Sequence, residues 1–174
     1  MRMTRIFKAL AVSLFVLMLV GCAAQPPAPV ETRSEPQPGV EELVRAPAAD
    51  EARGLQVFPL RNPAVAELSE AARQAESEGD LDRAAVLLER ALRIQARDPE
   101  LLQQLAEVHL ARGAYEQADS YASRSFDQGP RVGEICQRNW RTMALARERM
   151  NQPEAARLAR ERLEQCQVTP PPRL

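Results

Sequence analysis

The sequence predicts an all-α protein whose folded part is three antiparallel helical hairpins, stacked as a short right-handed solenoid. A block of residues recurs at an offset of 34 positions, first as Gly79–Ala84 and again as Gly113–Ala118. Recurrence at a period of about 20 to 50 residues is typical of solenoid proteins. Alanines and leucines follow the helical spacing of about 3.6 residues. Seven glycines and the lack of a β-branched run argue against strands.

Residues 1–21 are predicted to be a signal peptide. Basic residues precede the apolar run Ala9–Val20, whose 12 residues fall short of the roughly 20 that span a membrane. The run ends in Leu19-Val20-Gly21-Cys22, which resembles the lipobox of bacterial lipoproteins. That resemblance implies that Cys22 becomes the first mature residue and carries fatty acyl chains such as palmitate, and that Ala23 directs it to the outer membrane. The alternative is an ordinary secreted protein with an incidental cysteine.

Residues 22–62 are predicted to be the lipidated Cys22 and a disordered tether. The tether contains seven prolines, scattered charges and few large apolar residues, so burial cannot offset the entropy of ordering it. Fully extended, it spans at most about 120 Å. Glu41–Arg45 is a candidate helical turn. Four apolar residues are candidates either for a cap on the first helix or for a partner-binding strip: Leu55, Val57, Phe58 and Leu60.

Residues 63–167 are predicted to form the hairpins, and 168–174 a flexible tail. Asn62-Pro63 and Asp98-Pro99 place a capping side chain before a proline suited to a first helical turn. The helices Ala66–Glu78 and Pro99–Arg112 are expected to end at glycines 79 and 113. A third, degenerate copy is marked by Trp140, by Pro153 in its turn, and by Ala156. Because Ala118 and Ala156 are 38 positions apart, about four residues are inserted, and we expect them within Asp127–Glu134.

The period of 34, the small residue at each inter-helix turn and the alanines at close-packing sites resemble the tetratricopeptide repeat. In that family the first helix of each hairpin lines a concave groove that binds protein segments. The resemblance implies a partner-binding groove of mixed charge with a basic end, suited to an acidic or polar peptide, although such residues are also ordinary solvent-facing positions. The implied groove residues are Ser69, Arg73, Glu76, Gln103, Glu107, Leu110, Arg138, Arg141 and Leu145.

Cys136 and Cys166 are the two thiols that remain after Cys22 is acylated. In the repeat register, Cys136 lies just before the first helix of the third hairpin. Cys166 lies near the end of the second helix of the same hairpin. Antiparallel helices place these two ends side by side. We therefore expect a structural disulfide in an oxidising compartment.

The composition disfavours several function classes. The net charge of −1 shows no basic surplus for nucleic acid. The single histidine, His109, occupies a core-facing position of the repeat, and Trp140 is expected in the core. No catalytic set or metal-ligand spacing is present, so we expect no enzyme activity, cofactor, metal or small-molecule substrate.

A lipid anchor, a long tether and this repeat domain together resemble the outer-membrane lipoproteins that activate class A penicillin-binding proteins in pseudomonads and their relatives. The resemblance implies a protein-binding scaffold on the periplasmic face of the outer membrane, which activates a peptidoglycan synthase. The alternatives are another envelope adapter, such as a pilus-secretin pilotin or a recruiter of cell-wall hydrolases, and, third, an enzyme or direct glycan binder.

Overall fold

The computed structural model describes residues 39–51 and 62–167. The predicted signal peptide, Cys22, the C-terminal tail and the four apolar residues 55, 57, 58 and 60 lie outside the described residues. The described part is helical throughout, which confirms the all-α prediction. Within it, no helix combines the length and the apolar character needed to cross a membrane.

The repeat domain consists of three helical hairpins. Each pairs two consecutive helices, and neighbouring hairpins pack on each other. Before them lies an N-terminal segment, residues 39–51, which contains one stretch of π-helix and a short α-helix. In chain order the elements are the π-helix Glu41–Arg45, α1 (Ala46–Glu51), α2 (Pro63–Ser77), α3 (Leu81–Ile94), α4 (Pro99–Ala111), α5 (Tyr115–Gln128), α6 (Glu134–Arg149), α7 (Pro153–Leu163) and the 3₁₀ turn Glu164–Cys166.

The helix boundaries follow from capping chemistry. The side chains of Asn62 and Asp98 accept hydrogen bonds from first-turn backbone N–H groups of α2 and α4 at 2.9–3.2 Å, which leaves fewer unpaired donors at those ends. Gly79 and Gly113 adopt left-handed φ angles of 79° and 75° in the two inter-helix turns. In the third turn Asn151 takes that conformation, with φ 58°, and asparagine is one of the few residues besides glycine that visits it routinely.

The four inserted residues of the third repeat are not where the sequence analysis places them. The connection between α5 and α6 spans residues 129–133, one residue longer than residues 95–98 between α3 and α4. The other three residues lengthen a helix, since α6 has 16 residues and α4 has 13. The expected window, Asp127–Glu134, therefore accounts for one of the four inserted residues. The other three extend a helix, where their backbone groups keep helical hydrogen bonds and no longer loop is needed.

Helix α4 is the centre of the domain. Every residue from Leu101 to His109 is buried, because hairpins pack against α4 on both sides. One core cluster lies between α4 and the first hairpin and includes Leu88 and Leu105. A second lies towards the third hairpin and includes Met143 and Ala159. Trp140 is only half-buried and packs edge-to-face on Phe126, with ring centroids 4.8 Å apart.

The N-terminal segment differs from the expectation of disorder over residues 22–62. Residues 40–51 are helical, and the segment packs against α6. Val44 and Ala48 have no exposed surface. Val44, Ala48 and Arg45 in this stretch find partners on the repeat domain, and this burial, which composition alone does not reveal, offsets the entropy of ordering.

Cys136 and Cys166 are joined by a disulfide, with Cα atoms 5.5 Å apart. Cys136 lies inside α6, two residues after its start at Glu134, and not before the helix as the repeat register places it. A backbone hydrogen bond of 2.8 Å from Gly133 N–H to the carbonyl of Cys166 brings the same two chain ends together. The disulfide closes the third hairpin.

We predict that the double substitution Cys136→Ser with Cys166→Ser lowers the free energy of unfolding by on the order of 3 kcal/mol, because a loop of 30 residues loses its closure in the unfolded chain. Urea denaturation of the oxidised wild type and of the variant measures the difference. Mass spectrometry of the non-reduced protein checks the pairing. Two alkylatable thiols in the native, unreduced protein would contradict it.

Candidate protein-binding groove

The first helices of the three hairpins, α2, α4 and α6, present the face on which the sequence analysis places the groove. The nine predicted residues do not share one environment. Four are buried, namely Ser69, Gln103, Glu107 and Arg138; four are half-buried, namely Glu76, Leu110, Arg141 and Leu145; Arg73 is exposed.

On the first hairpin the three predicted residues have different roles. The Ser69 hydroxyl is fully buried and donates to Gln104 Oε1 at 2.8 Å, which ties α2 to α4. Arg73 lies on the surface and pairs with Glu70 on its own helix at 2.7 Å. Glu76 points towards the N-terminal segment and receives a hydrogen bond from Arg45 at 2.7 Å.

Glu107 lies at the centre of the groove and is fully buried. The Nε and Nη2 atoms of Arg138, on α6, donate to its two carboxylate oxygens at 2.7 and 2.9 Å. Arg45, on the N-terminal segment, donates from Nε to Oε2 at 2.7 Å. Gln103 donates to Oε1 at 2.8 Å. One carboxylate therefore connects a helix of the second hairpin, a helix of the third and the N-terminal segment.

These contacts govern the charge states. Burial raises the pKa of Glu107, but the charges and hydrogen bonds of Arg138 and Arg45 outweigh it and lower the pKa to about 2. Burial disfavours the charged form of Arg138 and by itself lowers its pKa. The carboxylates of Glu107 and Glu100 more than offset this effect and raise the pKa of Arg138. The ion pairs thus stay charged at neutral pH although they are removed from water.

The pairing of Arg138 changes the interpretation of the groove's basic end. Besides Glu107, its Nη1 atom contacts Glu100 at 2.7 Å and Glu134 at 3.7 Å. Its side chain is only 8% exposed. An arginine held in this way offers little free charge to an acidic peptide, and a substitution at Arg138 would test folding before it tests binding.

Leu110 and Leu145 line a pocket of about 280 Å³ at one end of the groove. The N-terminal segment forms the other wall through Gly39, Val40 and Leu43. The pocket therefore exists only while that segment is docked. Sequence reasoning identified the two leucines but not the opposing wall, because a single turn at Glu41–Arg45 carries no signal for where it packs.

In residues 39–51 and 62–167, no group of three or more potential metal-ligating side chains is brought together. His109 is buried and stacks on Tyr121, with ring centroids 5.3 Å apart. Burial, with a smaller contribution from Arg112, lowers the pKa of His109, so it packs as a neutral ring.

Comparison with known proteins agrees with the fold of stacked helical hairpins. The tetratricopeptide repeat family profile matches residues 75–131. The solved structure of the globular C-terminal domain of P. aeruginosa LpoP matches with 34% sequence identity and a TM-score of 0.57, and covers 60% of this chain and 99% of that one. This chain belongs to the tetratricopeptide-repeat family that includes the LpoP domain. No curated protein matches it significantly in sequence.

Within this tetratricopeptide-repeat domain, the groove has side chains of both signs. When the N-terminal segment is left out, Arg138 contacts Glu100, Glu107 and Glu134, and Glu76 accepts a hydrogen bond from Gln104. The expected basic end, suited to an acidic or polar peptide, stays a prediction, because Arg73 and Arg141 are also among the predicted groove residues. The repeat register gives residue types at each position but not the ion pairs between hairpins.

We predict that Glu107→Gln lowers the free energy of unfolding at pH 7 by about 3–5 kcal/mol, because it leaves two buried or half-buried arginines without their shared counter-charge. Urea denaturation at pH 7 measures the loss. Glu70→Gln, on the exposed surface of α2, is the matched control and should stay within about 0.5 kcal/mol of wild type.

The same carboxylate gives the wild type an acid-sensitive stability. The folded pKa of Glu107, about 2, lies below the ordinary 4.5, so the unfolded chain takes up the proton first as the pH falls. The contribution, on the order of 3 kcal/mol, is complete above about pH 4.5 and is lost as the pH falls towards 2. Glu107→Gln should remove this part of the dependence. An identical pH profile in both proteins would contradict the assignment.

Proposed function

We propose that this protein is a lipid-anchored scaffold at the periplasmic face of the outer membrane, which binds and activates a class A penicillin-binding protein. The similarity to the LpoP domain supports the proposal, since it extends over 99% of that chain at 34% identity. The anchor, tether and repeat domain also resemble the lipoprotein activators of those synthases.

The described residues fit a role in protein binding rather than catalysis. The repeat domain offers a preformed groove rigidified by buried ion pairs, and its end has a small apolar pocket beside two leucines. Rigid elements of this kind position a partner at low entropic cost. We therefore propose that the domain acts by holding the synthase in an active arrangement and performs no chemical step itself.

The proposed anchor and tether set how far the domain reaches. With residues 39–51 docked, the chain from Cys22 to the domain consists of residues 23–38, which extend to at most about 50 Å. A fatty anchor in one membrane and a synthase in the other are separated by the cell wall. The length of this tether thus limits which envelope proteins the groove meets.

We predict that the unlipidated mature chain, residues 23–174, accelerates glycan polymerisation by the class A synthase of the same organism in a saturable way. Arg73→Glu should change the half-saturating concentration about fivefold, since reversing one charge at an interface rim is worth about 1 kcal/mol. The measurement is the rate of lipid II consumption as the chain is titrated.

Arg157→Glu is the matched control for Arg73→Glu. Each arginine is exposed and pairs with a glutamate three positions earlier on its own helix, but Arg157 lies on α7, outside the groove. No acceleration at saturating chain removes the activator proposal. Binding without acceleration would assign an adapter role instead, and equal effects of the two variants would place the interface elsewhere.

We also predict that Cys22→Ser releases the protein from the membrane, because anchoring depends on acyl chains whose burial contributes about 0.8 kcal/mol per methylene. Fractionation of cells and labelling with a palmitate analogue measure the change. Ser34→Ala, in the same proline-rich stretch, is the control and should stay membrane-bound. Membrane retention of the unlabelled Cys22→Ser variant would contradict the anchor.

A further inference from the structure

The N-terminal segment occupies the groove of its own repeat domain. Val44 and Ala48 are fully buried, and both helical parts of the segment contact α6. Between them, Arg45 reaches the groove carboxylates of Glu76 and Glu107, both at 2.7 Å. A binding face that would otherwise be open is therefore filled by a short helix from the same chain.

The groove holds the two carboxylates in place for an arginine. Gln104 donates to Glu76 Oε1 at 3.3 Å, and Arg138 and Gln103 both donate to Glu107 Oε1. These contacts fix each carboxylate, and Oε2 of each accepts a hydrogen bond from Arg45, which thus binds one carboxylate from each of two hairpins. Guanidinium is the side-chain group whose fork of donors best suits such a pair.

Charge balance favours a cationic occupant over an acidic one. Without Arg45, Glu76 and Glu107 lose the guanidinium that binds both of them, and Arg138 still binds Glu107 alone of the two. Burial opposes the charge of Arg45, and Glu107 and Glu76 more than compensate and raise its pKa. An acidic group at the position of Arg45 would face these two carboxylates, and its repulsion would oppose binding.

The segment is short enough to exchange. Helices of fewer than about 12–15 residues are marginal on their own in water, and residues 40–51 are a single such helix. The Arg45 side chain remains 25% exposed at the rim. The segment therefore depends on the groove for its structure. A competing helix that supplies the same contacts displaces the segment without disturbing the repeat core.

We infer that the groove is a receptor for a short helix that presents an arginine flanked by apolar residues one position before and three positions after it. Residues 40–51 are its resident occupant, and a partner helix of the same chemistry binds by exchange with them. The inference rests on the groove being a binding face and is independent of whether the partner is a synthase.

A labelled peptide of residues 38–52 tests the exchange on the mature chain. Ten residues, 52–61, connect the segment to α2, so its effective concentration at the groove is on the order of millimolar. The wild-type chain should therefore resist the peptide. Val44→Asp undocks the resident segment without altering a groove side chain, and should bind the peptide at least about tenfold tighter than wild type, with a dissociation constant below about 1 mM.

Two controls separate exchange from loss of folding. Glu42→Ala changes an exposed residue of the same segment and should bind the peptide as weakly as wild type. A peptide carrying Arg45→Ala should bind the undocked chain at least fivefold more weakly than the native peptide. Circular dichroism should show that the repeat helices of Val44→Asp are intact.

Hydrogen exchange gives a second measurement. Amides of residues 43–51 should be protected in wild type and Glu42→Ala, and should exchange at peptide-like rates in Val44→Asp. Equal peptide binding by wild type and Val44→Asp, absence of binding to Val44→Asp at millimolar peptide, or unchanged protection would each overturn the inference. The peptide-binding assay contains no synthase. A negative result in it is therefore distinguishable from a negative result in the polymerisation assay.

Discussion

The structure depends on one buried carboxylate, that of Glu107. It lies on α4, which packs against helices of all three hairpins, and binds Arg138 of α6 and Arg45 of the N-terminal segment. Hydrophobic packing alone holds neighbouring hairpins together but is not directional. The bidentate contact with Arg138 is directional, so it fixes how the third hairpin lies on the second.

Such a network is an expensive way to stabilise a core. Removing charges from water costs several kcal/mol per ion, and well-packed apolar residues often do as well. Its value is in specificity: a groove lined by leucine and alanine would accept many helices, whereas one with two fixed carboxylates rejects any helix that brings no cation. The same residues therefore define the fold and limit what binds in it.

The sequence predicts the repeats well because their determinants are local. Asn62 and Asp98 cap helices, and Gly79 and Gly113 permit left-handed turns, through contacts within a few residues. The groove was predicted less well because its environment is tertiary. Repeat register places Glu107 on the concave face, but its burial comes from residues 31 and 62 positions away, and a segment outside the repeats leaves no periodic signal.

A groove that holds its own occupant changes how binding relates to reach. A partner must outcompete a tethered helix. Its apparent affinity is therefore the intrinsic affinity multiplied by the fraction of time that the groove is open. When it succeeds, residues 39–51 are released, and the stretch of chain that can extend between Cys22 and α2 grows by residues 39–61, or about 70 Å. A protein anchored at one membrane would then gain reach only after engaging a partner of the right chemistry. Contact and extension are thereby coupled through the carboxylates of Glu76 and Glu107.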